Sequence, residues 1–352
     1  MPNLLHIAKY TVGEGHPCFL IAEAGVNHNG SLAMAKKLID AAVKAKVDAV
    51  KFQSFKTENV IIEGVPKVTY QKRTANAKES QAAMLRKLEI DKDFHVELIK
   101  YCRKKNIMFL STCTESNSLD LLVKLNVPAL KVASMDTVNP MFLEKVAKAQ
   151  KPVILSTGMS TQTEIEAACQ CLRKNGCKEL ALLKCTSNYP TALNEVNLSA
   201  MQAMQEKFDA VIGFSDHTEG VGASPYAVAM GAKIVEKHFT LDKKMSGPDH
   251  KASLSPQELI LWVKEIRNVE QMLGSREIRP MACEKETSRA LRKSLVSLVP
   301  LKKGDSITRR NITAKRTGGT GISSIDFYKA LGLKMVKEIP QDQPIHWSYL
   351  GK

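Results

Sequence analysis

The chain has 352 residues, 44% of them hydrophobic and 25% charged, a composition typical of a folded protein with a sizeable core and room for more than one domain. No apolar run approaches the roughly 20 residues needed to span a bilayer, and the segment from Met1 to Lys9 lacks the apolar core of a signal peptide. The net charge of +15 fits a solvated basic surface, an anionic substrate or nucleic acid, but aromatic residues make up only 5% of the chain and no nucleic-acid-binding motif is present, so we expect no nucleic-acid or membrane partner.

Eight short apolar runs, each ending in polar residues, predict strands that are buried on both faces of a parallel sheet. The runs are Phe19–Gly25, Ala49–Ser54, Met108–Cys113, Ala129–Ser134, Pro152–Gly158, Leu180–Thr186, Val211–His217 and Lys233–Thr240. Helical spacing lies between them, as in the apolar stripe from Leu32 to Val43 and the capping box of Thr161 and Glu164. Eight strand–helix alternations in about 250 residues are typical of a (β/α)8 TIM barrel, whose active site lies where the strands end. The pattern therefore predicts an α/β enzyme.

A second, smaller domain is predicted after the barrel. The last helical pattern, Pro256–Leu273, ends at Gly274, so the barrel domain is expected to span residues 1–274. Residues 275–288 read as a polar linker, and residues 289–352 as a small β-rich domain, near the lower size limit for folding alone. The segment from Lys285 to the end holds 14 of the 51 basic residues and 5 of the 36 acidic ones, a net charge of +9.

The eight cysteines are scattered through the chain and form no CxxC pair. Several fall within predicted strands or helices. This usage favours reduced thiols in a cytoplasmic protein over disulfides or a zinc site.

Two histidines follow neighbouring predicted strands, His217 after the seventh and His238 after the eighth. Adjacent strands lie about 5 Å apart, so both imidazoles can reach one divalent ion. Two nitrogens without a thiolate suit Mn²⁺ or Mg²⁺, with waters and substrate oxygens as the other ligands, better than a closed zinc site. Taken alone, a histidine at such a position is more often a hydrogen-bonded rim residue, and it is the pair that favours a metal site.

Two lysines, Lys51 and Lys131, lie inside predicted strands between apolar neighbours. A lysine is costly to bury unless it is paired, so each is expected either to meet an anion in the barrel mouth or to extend its ammonium group to water. Hydroxyl groups near the strand ends make a phosphate or carboxylate site plausible: Thr112, Ser134, Ser156 and Ser215. Two carboxylates, Glu23 and Asp249, are candidates for a base or for a polyol ligand, although Asp249 also suits a turn after Gly-Pro.

Several longer motifs give the chain its resemblance to a known family. They are Ile21–Gly30, Lys51–Gln53, Ser156–Met159, Ser215–His217, Glu236–Lys243 and Met245–Ser253, in this order along nearly the whole chain. Together they resemble the sialic acid synthase family. The tail from Lys293, with Lys315-Arg316 and Gly321–Ser323, resembles the antifreeze-like (SAF) domain that this family carries.

The resemblance implies condensation of phosphoenolpyruvate with N-acetylmannosamine or a related N-acylated hexosamine, which gives a nine-carbon 2-keto sugar acid and phosphate. By position, His217 and His238 match the family's metal ligands, normally for Mn²⁺ with Mg²⁺ or Co²⁺ as alternatives. Lys51 and Lys131 match residues that hold the carboxylate and phosphate of phosphoenolpyruvate, with the four hydroxyls around the phosphate. The resemblance assigns the remaining residues as follows: Glu23 activates water or orients the donor; Gln53, Asp136, Tyr189 and Asp249 lie near the sugar; and Arg316 reaches the sugar site across a domain-swapped homodimer.

The hexosamine itself is not fixed by these motifs. Leu183–Thr191 is similar to the pseudaminic acid synthase branch, whereas Met245–Ser253 and Lys51–Lys56 are similar to the N-acetylneuraminic and legionaminic branches. The legionaminic and pseudaminic alternatives would use a 2,4-diacetamido-trideoxyhexose. Two more distant alternatives are a related barrel enzyme that condenses phosphoenolpyruvate with a plain sugar phosphate, and a basic protein that binds polyanions.

Overall fold

The computed structural model describes residues 3–67 and 79–352, and these form two compact units, Met1–Gly274 and Ser275–Lys352. The division falls at the glycine where the sequence ends the last barrel helix. Gly274 has φ 54°, a left-handed conformation that glycine adopts without steric cost, directly after the helix Pro256–Leu273.

The first unit is a closed barrel of eight parallel strands, as the sequence predicts. In chain order the strands of this unit are an N-terminal pair, β1 (Leu4–Ile7) and β2 (Tyr10–Gly13), and the barrel strands β3 (Phe19–Gly25), β4 (Ala49–Ser54), β5 (Met108–Cys113), β6 (Leu130–Val132), β7 (Val153–Ser156), β8 (Leu180–Cys185), β9 (Val211–Asp216) and β10 (Ile234–His238). Each barrel strand pairs with the next, and β10 closes on β3.

Helices follow the barrel strands and cover the outside of the sheet. They are α1 (Leu32–Ala45), α2 (Thr57–Val60), α3 (Gln81–Arg86), α4 (Lys92–Lys104), α5 (Ser116–Lys124), α6 (Pro140–Lys148), α7 (Gln162–Lys174), α8 (Ser199–Lys207), α9 (Ser224–Ala229) and α10 (Pro256–Leu273). The predicted capping box at the start of α7 is present, with the Thr161 side chain and the Glu164 side chain each bonded to the other's backbone N–H. None of the described helices is long and apolar enough to cross a membrane.

The N-terminal hairpin of β1 and β2 is a feature that the sequence analysis missed. Its buried Leu5, Ile7 and Val12 belong to the same apolar cluster as the lowest inward-facing residues of the barrel strands, such as Phe19 and Ile154. The hairpin therefore closes the end of the barrel opposite to the strand ends, and it leaves the other end as the place for a site.

The second unit has its own small core and pairs its strands antiparallel. Its helices are α11 (Lys285–Leu291) and α12 (Phe327–Ala330), and its strands are β11 (Lys293–Ser297), β12 (Ile312–Arg316), β13 (Lys334–Met335) and β14 (Leu350–Gly351). Within the second half of the predicted linker 275–288, a 3-10 turn, Ala282–Glu284, leads into α11. The Glu284 carboxylate accepts a 2.7 Å hydrogen bond from the backbone N–H of Met281, which stabilises the start of that turn.

Candidate active site

One cavity of about 110 Å³ lies at the carboxyl ends of the barrel strands, and we call it the mouth cavity. It brings together eleven of the side chains that the sequence singled out: Glu23, Lys51, Gln53, Thr112, Lys131, Ser134, Ser156, Tyr189, Ser215, His217 and His238. They come from all eight barrel strands or from the loops that follow them, so the barrel closure alone accounts for their meeting.

The strand register explains why polar side chains converge here. Inward-facing residues alternate along each strand, and their lower layer is apolar, as with Leu110, Ile154 and Ile234. Two residues further along the same strands, the inward positions hold Thr112, Ser156 and Glu236. The barrel interior thus changes from a packed apolar core to a polar site over two residues of each of these strands.

Lys51 is buried and paired with carboxylates. Its ammonium Nζ lies 2.7 Å from Glu23 Oε2 and 3.6 Å from Glu236 Oε2, and it donates to Thr112 Oγ1 at 2.7 Å. Burial works against the charged ammonium, but the two carboxylates outweigh it and raise the pKa of Lys51. Lys51 therefore stays cationic beside the cavity.

Lys131 has fewer anionic partners. Its Nζ donates to Ser156 Oγ at 2.7 Å and to the Val132 carbonyl at 3.1 Å, while Glu236 Oε1 is 3.9 Å away. Burial lowers the pKa of Lys131, because no carboxylate is close enough to offset the loss of solvation fully. An anionic ligand in the cavity would supply the missing charge.

Glu236 is a site residue that the sequence analysis overlooked. It lies between Lys51 and Lys131, accepts a hydrogen bond from Ser215 Oγ at 3.3 Å, and has its pKa lowered by the two lysines despite its burial. The signal was available, since Glu236 and His238 are two residues apart on one strand and must face the same side. The opposite residue, Lys237, faces away from the cavity and pairs with Asp216.

Glu23 is nearly inaccessible to solvent and bonded at both oxygens. Its Oε1 accepts from Gln53 Nε2 at 3.1 Å, and its Oε2 meets the Lys51 ammonium. Burial raises its pKa to about 7, even though Lys51 favours the charged form. A carboxyl group with this pKa can both accept and release a proton near neutral pH.

The two imidazoles lie side by side, as the geometric hypothesis requires. The ring centroids of His217 and His238 are 5.6 Å apart, and the Tyr189 ring packs against both, at 4.1 and 5.4 Å. His217 donates its Nδ1–H to the carbonyl of Thr186 at 2.7 Å, which orients the ring and leaves Nε2 on the side of Ser215 Oγ, 3.5 Å away. Burial, followed by the neighbouring His217, holds the pKa of His238 well below its usual range.

These residues fit a divalent ion with open coordination positions. His238 Nδ1 is buried and has no hydrogen-bond partner among residues 3–67 and 79–352, and Asp249 Oδ2 lies 3.9 Å from it. Metal–imidazole bonds of about 2.0–2.1 Å allow two rings at this spacing to share one ion. Within the described ranges no cluster of three or more His, Cys, Asp or Glu side chains is arranged to hold a metal, so water or substrate must complete any coordination shell.

Three predicted site residues do not line the mouth cavity. Asp249 is buried beside His238, and Asp136 is buried in the 3-10 turn Ser134–Val138 that follows β6; burial raises the pKa of each to about 6. Arg316 is exposed at the end of β12 in the second unit.

Cys185 is a second residue that the sequence analysis left out of the site. Its Sγ is 3.7 Å from His217 Nδ1, and all eight cysteines are free thiols. Burial raises the pKa of most of the other thiols, but His217 outweighs burial at Cys185 and lowers its pKa to about 7. Only the inward-facing position after Ala181 and Leu183 could have indicated its place.

Comparison with known proteins places the chain among synthases of nonulosonic acids. The model of the NeuB family matches residues 38–278. The N,N'-diacetyllegionaminic acid synthase of Campylobacter jejuni is 46% identical over 328 residues, which cover 93% of this chain and 98% of that protein. The human N-acetylneuraminate-9-phosphate synthase is 36% identical over 335 residues, 95% of this chain and 93% of that protein.

A solved structure agrees with this placement. The N-acetylneuraminic acid synthetase of Leptospira borgpetersenii, crystallised in complex with citrate, superposes with a TM-score of 0.72 at 35% identity. The match covers 82% of this chain and 95% of that one.

Proposed function

We propose, from the premise that this chain belongs to the NeuB family, that its mouth cavity condenses phosphoenolpyruvate with an N-acylated hexosamine. The products are a nine-carbon 2-keto sugar acid and inorganic phosphate. The observation that carries the proposal is the pairing of two buried lysines with two buried imidazoles on one small cavity, since a doubly anionic donor and a polarisable aldehyde are what such a site would bind.

The lysines account for the donor. Lys131 lacks a close carboxylate among the described residues, and its partner Ser156 lines the cavity together with Ser134, whose Oγ accepts from the backbone N–H of Gly158 at 2.9 Å. These donors suit a phosphate group. Lys51 and Thr112, on the neighbouring strands, suit the carboxylate of the same molecule.

The reaction follows from this placement. C3 of phosphoenolpyruvate attacks the aldehyde carbon of the open-chain sugar and forms the new C–C bond. Water then adds at C2. The bond between C2 and the oxygen that bridges to phosphorus breaks, and phosphate leaves with that oxygen. Glu23, whose pKa is about 7, is the group suited to take the proton of the attacking water, and Lys51 stabilises its carboxylate form before that transfer.

A divalent ion, bound by His217 and His238, would act as a Lewis acid on the aldehyde oxygen. The residues of the chain orient that end of the site. The Thr186 carbonyl and the Tyr189 ring fix the plane of His217, and Asp249 lies beside His238. We assign Mn²⁺ first, with Mg²⁺ or Co²⁺ as alternatives.

For the sugar we infer a 2,4-diacetamido-trideoxyhexose ahead of N-acetylmannosamine. The support is the higher identity to a diacetyllegionaminic acid synthase, 46%, than to a synthase of N-acetylneuraminate 9-phosphate, 36%. We further propose that the second unit is an antifreeze-like domain that supplies Arg316 to the sugar site of a domain-swapped partner.

The test is a product assay by mass spectrometry across N-acetylmannosamine and its 2,4-diacetamido-trideoxy relatives. Phosphate and the keto acid should form only when phosphoenolpyruvate, sugar and divalent ion are all present. The double variant His217→Ala and His238→Ala should lose the ion-dependent turnover, whereas His16→Ala, at an exposed histidine, should retain it. Unchanged turnover in the double variant would overturn the metal assignment, and turnover only with arabinose 5-phosphate or erythrose 4-phosphate would overturn the proposed function.

A further inference from the structure

A second cavity, of about 300 Å³, lies outside the barrel wall between β8, α7 and α8, and we call it the Lys184 cavity. Its wall contains Lys184 and Lys207, several neutral polar side chains and a set of apolar ones: Thr157, Ser160, Gln162, Asn197, Met159, Ile165, Met204 and Phe208. No aspartate or glutamate from the described residues lines it. The cavity is distinct from the mouth cavity, although Cys185 borders both.

Lys184 is a buried ammonium group that pairs with no carboxylate in the part of the chain that the structure describes. Its side chain points away from the barrel interior, because the inward positions of β8 are Ala181, Leu183 and Cys185. Its Nζ donates to Thr186 Oγ1 at 2.8 Å and to the carbonyl of Val196. An ammonium group has three donors, so one N–H is left without a partner among the described residues.

Lys237 shows what a fully satisfied lysine looks like in the same layer of the fold. Its Nζ lies 2.9 Å from Asp216 Oδ2 and donates to the carbonyl and the hydroxyl of Thr218, at 2.8 and 3.4 Å. Burial lowers the pKa of both lysines. The Asp216 carboxylate counteracts this at Lys237, whereas no carboxylate among the described residues does so at Lys184. Lys184 thus lacks the counter-charge that a buried ammonium group requires.

The surroundings of Lys184 add to the positive potential. Lys207 borders the cavity, with its Nζ 2.6 Å from the side-chain oxygen of Gln162. Helix α8 begins next to the cavity with no side-chain cap at Leu198, so the partial positive charge of its first turn is not offset by a capping group. The side chains of Met159, Ile165 and Met204 also line the cavity, and they supply an apolar surface that could contact the hydrocarbon part of an organic ligand.

We propose that the Lys184 cavity binds a small organic anion, with a phosphate or carboxylate group on Lys184 and an apolar portion against Met159 and Met204. The volume of about 300 Å³ is at the lower end for small-molecule sites. Lys184 also contacts Thr186, whose carbonyl orients the catalytic-site imidazole of His217, so two hydrogen bonds connect Lys184 to a residue that lines the mouth cavity.

The experiment is isothermal titration calorimetry of the full chain with phenyl phosphate, and with phenol as its uncharged analogue. We expect phenyl phosphate to bind, phenol to bind far more weakly, and Lys184→Met to weaken phenyl phosphate binding by about 10- to 150-fold, the range for a hydrogen bond to a charged group. Lys184→Arg keeps the charge and should retain most of the affinity. Lys174→Met, at an exposed lysine of α7 that does not line the cavity, should bind as the wild type does.

A second readout locates the ligand without relying on a variant that folds. The chain is labelled with ¹³C at its methionine methyl groups and observed by NMR. Phenyl phosphate should shift the signals of Met159 and Met204, which line the Lys184 cavity, and should not shift the signal of Met135, which lines the mouth cavity. Equal affinity in Lys184→Met would overturn the proposal. So would loss of all binding in Lys131→Met with a shift of Met135 alone, because the ligand would then occupy the mouth.

Discussion

Two buried groups of charges lie on opposite faces of the same strands, and they differ in how completely their hydrogen bonds are satisfied. Behind β9 and β10, Asp216 accepts from the backbone N–H and hydroxyl groups of Thr218 and Ser224, and it pairs with Lys237. In the mouth cavity, Lys131 has two neutral acceptors within 3.1 Å among residues 3–67 and 79–352. A complete set of partners stabilises the fold, whereas an incomplete set around a cavity is prepared for a ligand.

The largest effect should come from breaking the satisfied pair. Asp216→Asn leaves the Lys237 ammonium buried without a counter-charge, so the free energy of unfolding should fall by about 3–5 kcal/mol. Urea denaturation monitored by circular dichroism measures this. Glu144→Gln is the matched control, because its exposed pair with Lys148, at 3.8 Å, is expected to contribute less than about 1 kcal/mol. A similar loss in both variants would remove the distinction.

The next effect concerns pH. His28 is fully buried, and burial lowers its pKa to about 4. In the unfolded chain His28 binds a proton below about pH 6.5, whereas in the folded protein it stays neutral down to about pH 4. The free energy of unfolding should therefore decrease as the pH falls through this window, by about 3 kcal/mol for this group. In His28→Gln the decrease between pH 6.5 and 4 should be smaller by that amount. Parallel pH profiles of wild type and variant, from urea denaturation at each pH, would contradict the prediction.

Removing the incompletely paired lysine should affect binding more than stability. Lys131→Met should lower kcat/KM for phosphoenolpyruvate by about 10- to 150-fold, because a charge-assisted hydrogen bond to the donor is lost. Its free energy of unfolding should change far less than that of Asp216→Asn, since no carboxylate lies closer than 3.9 Å in the contacts of Lys131. Lys148→Met, at an exposed site, serves as the control for both measurements. A large loss of stability with normal kinetics would reverse the assignment.

The smallest effect is steric. A Cβ atom at Gly158 would overlap Ser187 Oγ and lie 3.0 Å from Ser134 Oγ and 3.2 Å from Cys185 Sγ, all beside the mouth cavity. Gly158→Ala should cost about 1–3 kcal/mol of unfolding free energy and raise the KM for phosphoenolpyruvate. Adding Ser187→Ala should restore part of both, and no recovery in the double variant would show that Ser187 is not the obstacle.

The sequence predicted the barrel because its periodicity is local. Each strand is a continuous apolar run, and helices such as Pro256–Leu273 have both a start signal and a glycine at the end. The apolar runs predicted the exact ends of the strands less well than their existence. Strand β6 stops at Val132, because Ser134–Val138 forms a 3-10 turn.

The site residues that the sequence missed have a common cause. Glu236 and Cys185 are inward-facing only because of the strand register, and their importance depends on neighbours that are distant in the chain, Lys51 for one and His217 for the other. The hairpin of β1 and β2 was missed because two four-residue strands carry too few apolar positions to stand out.

The most direct test of the central claim follows the oxygen that bridges C2 and phosphorus in phosphoenolpyruvate. With that oxygen replaced by oxygen-18, and with hexosamine and divalent ion present, the label should appear in inorganic phosphate while an unlabelled nine-carbon keto acid forms. Label retained in the keto acid, or phosphate released without any condensed product, would contradict the assignment of the mouth cavity.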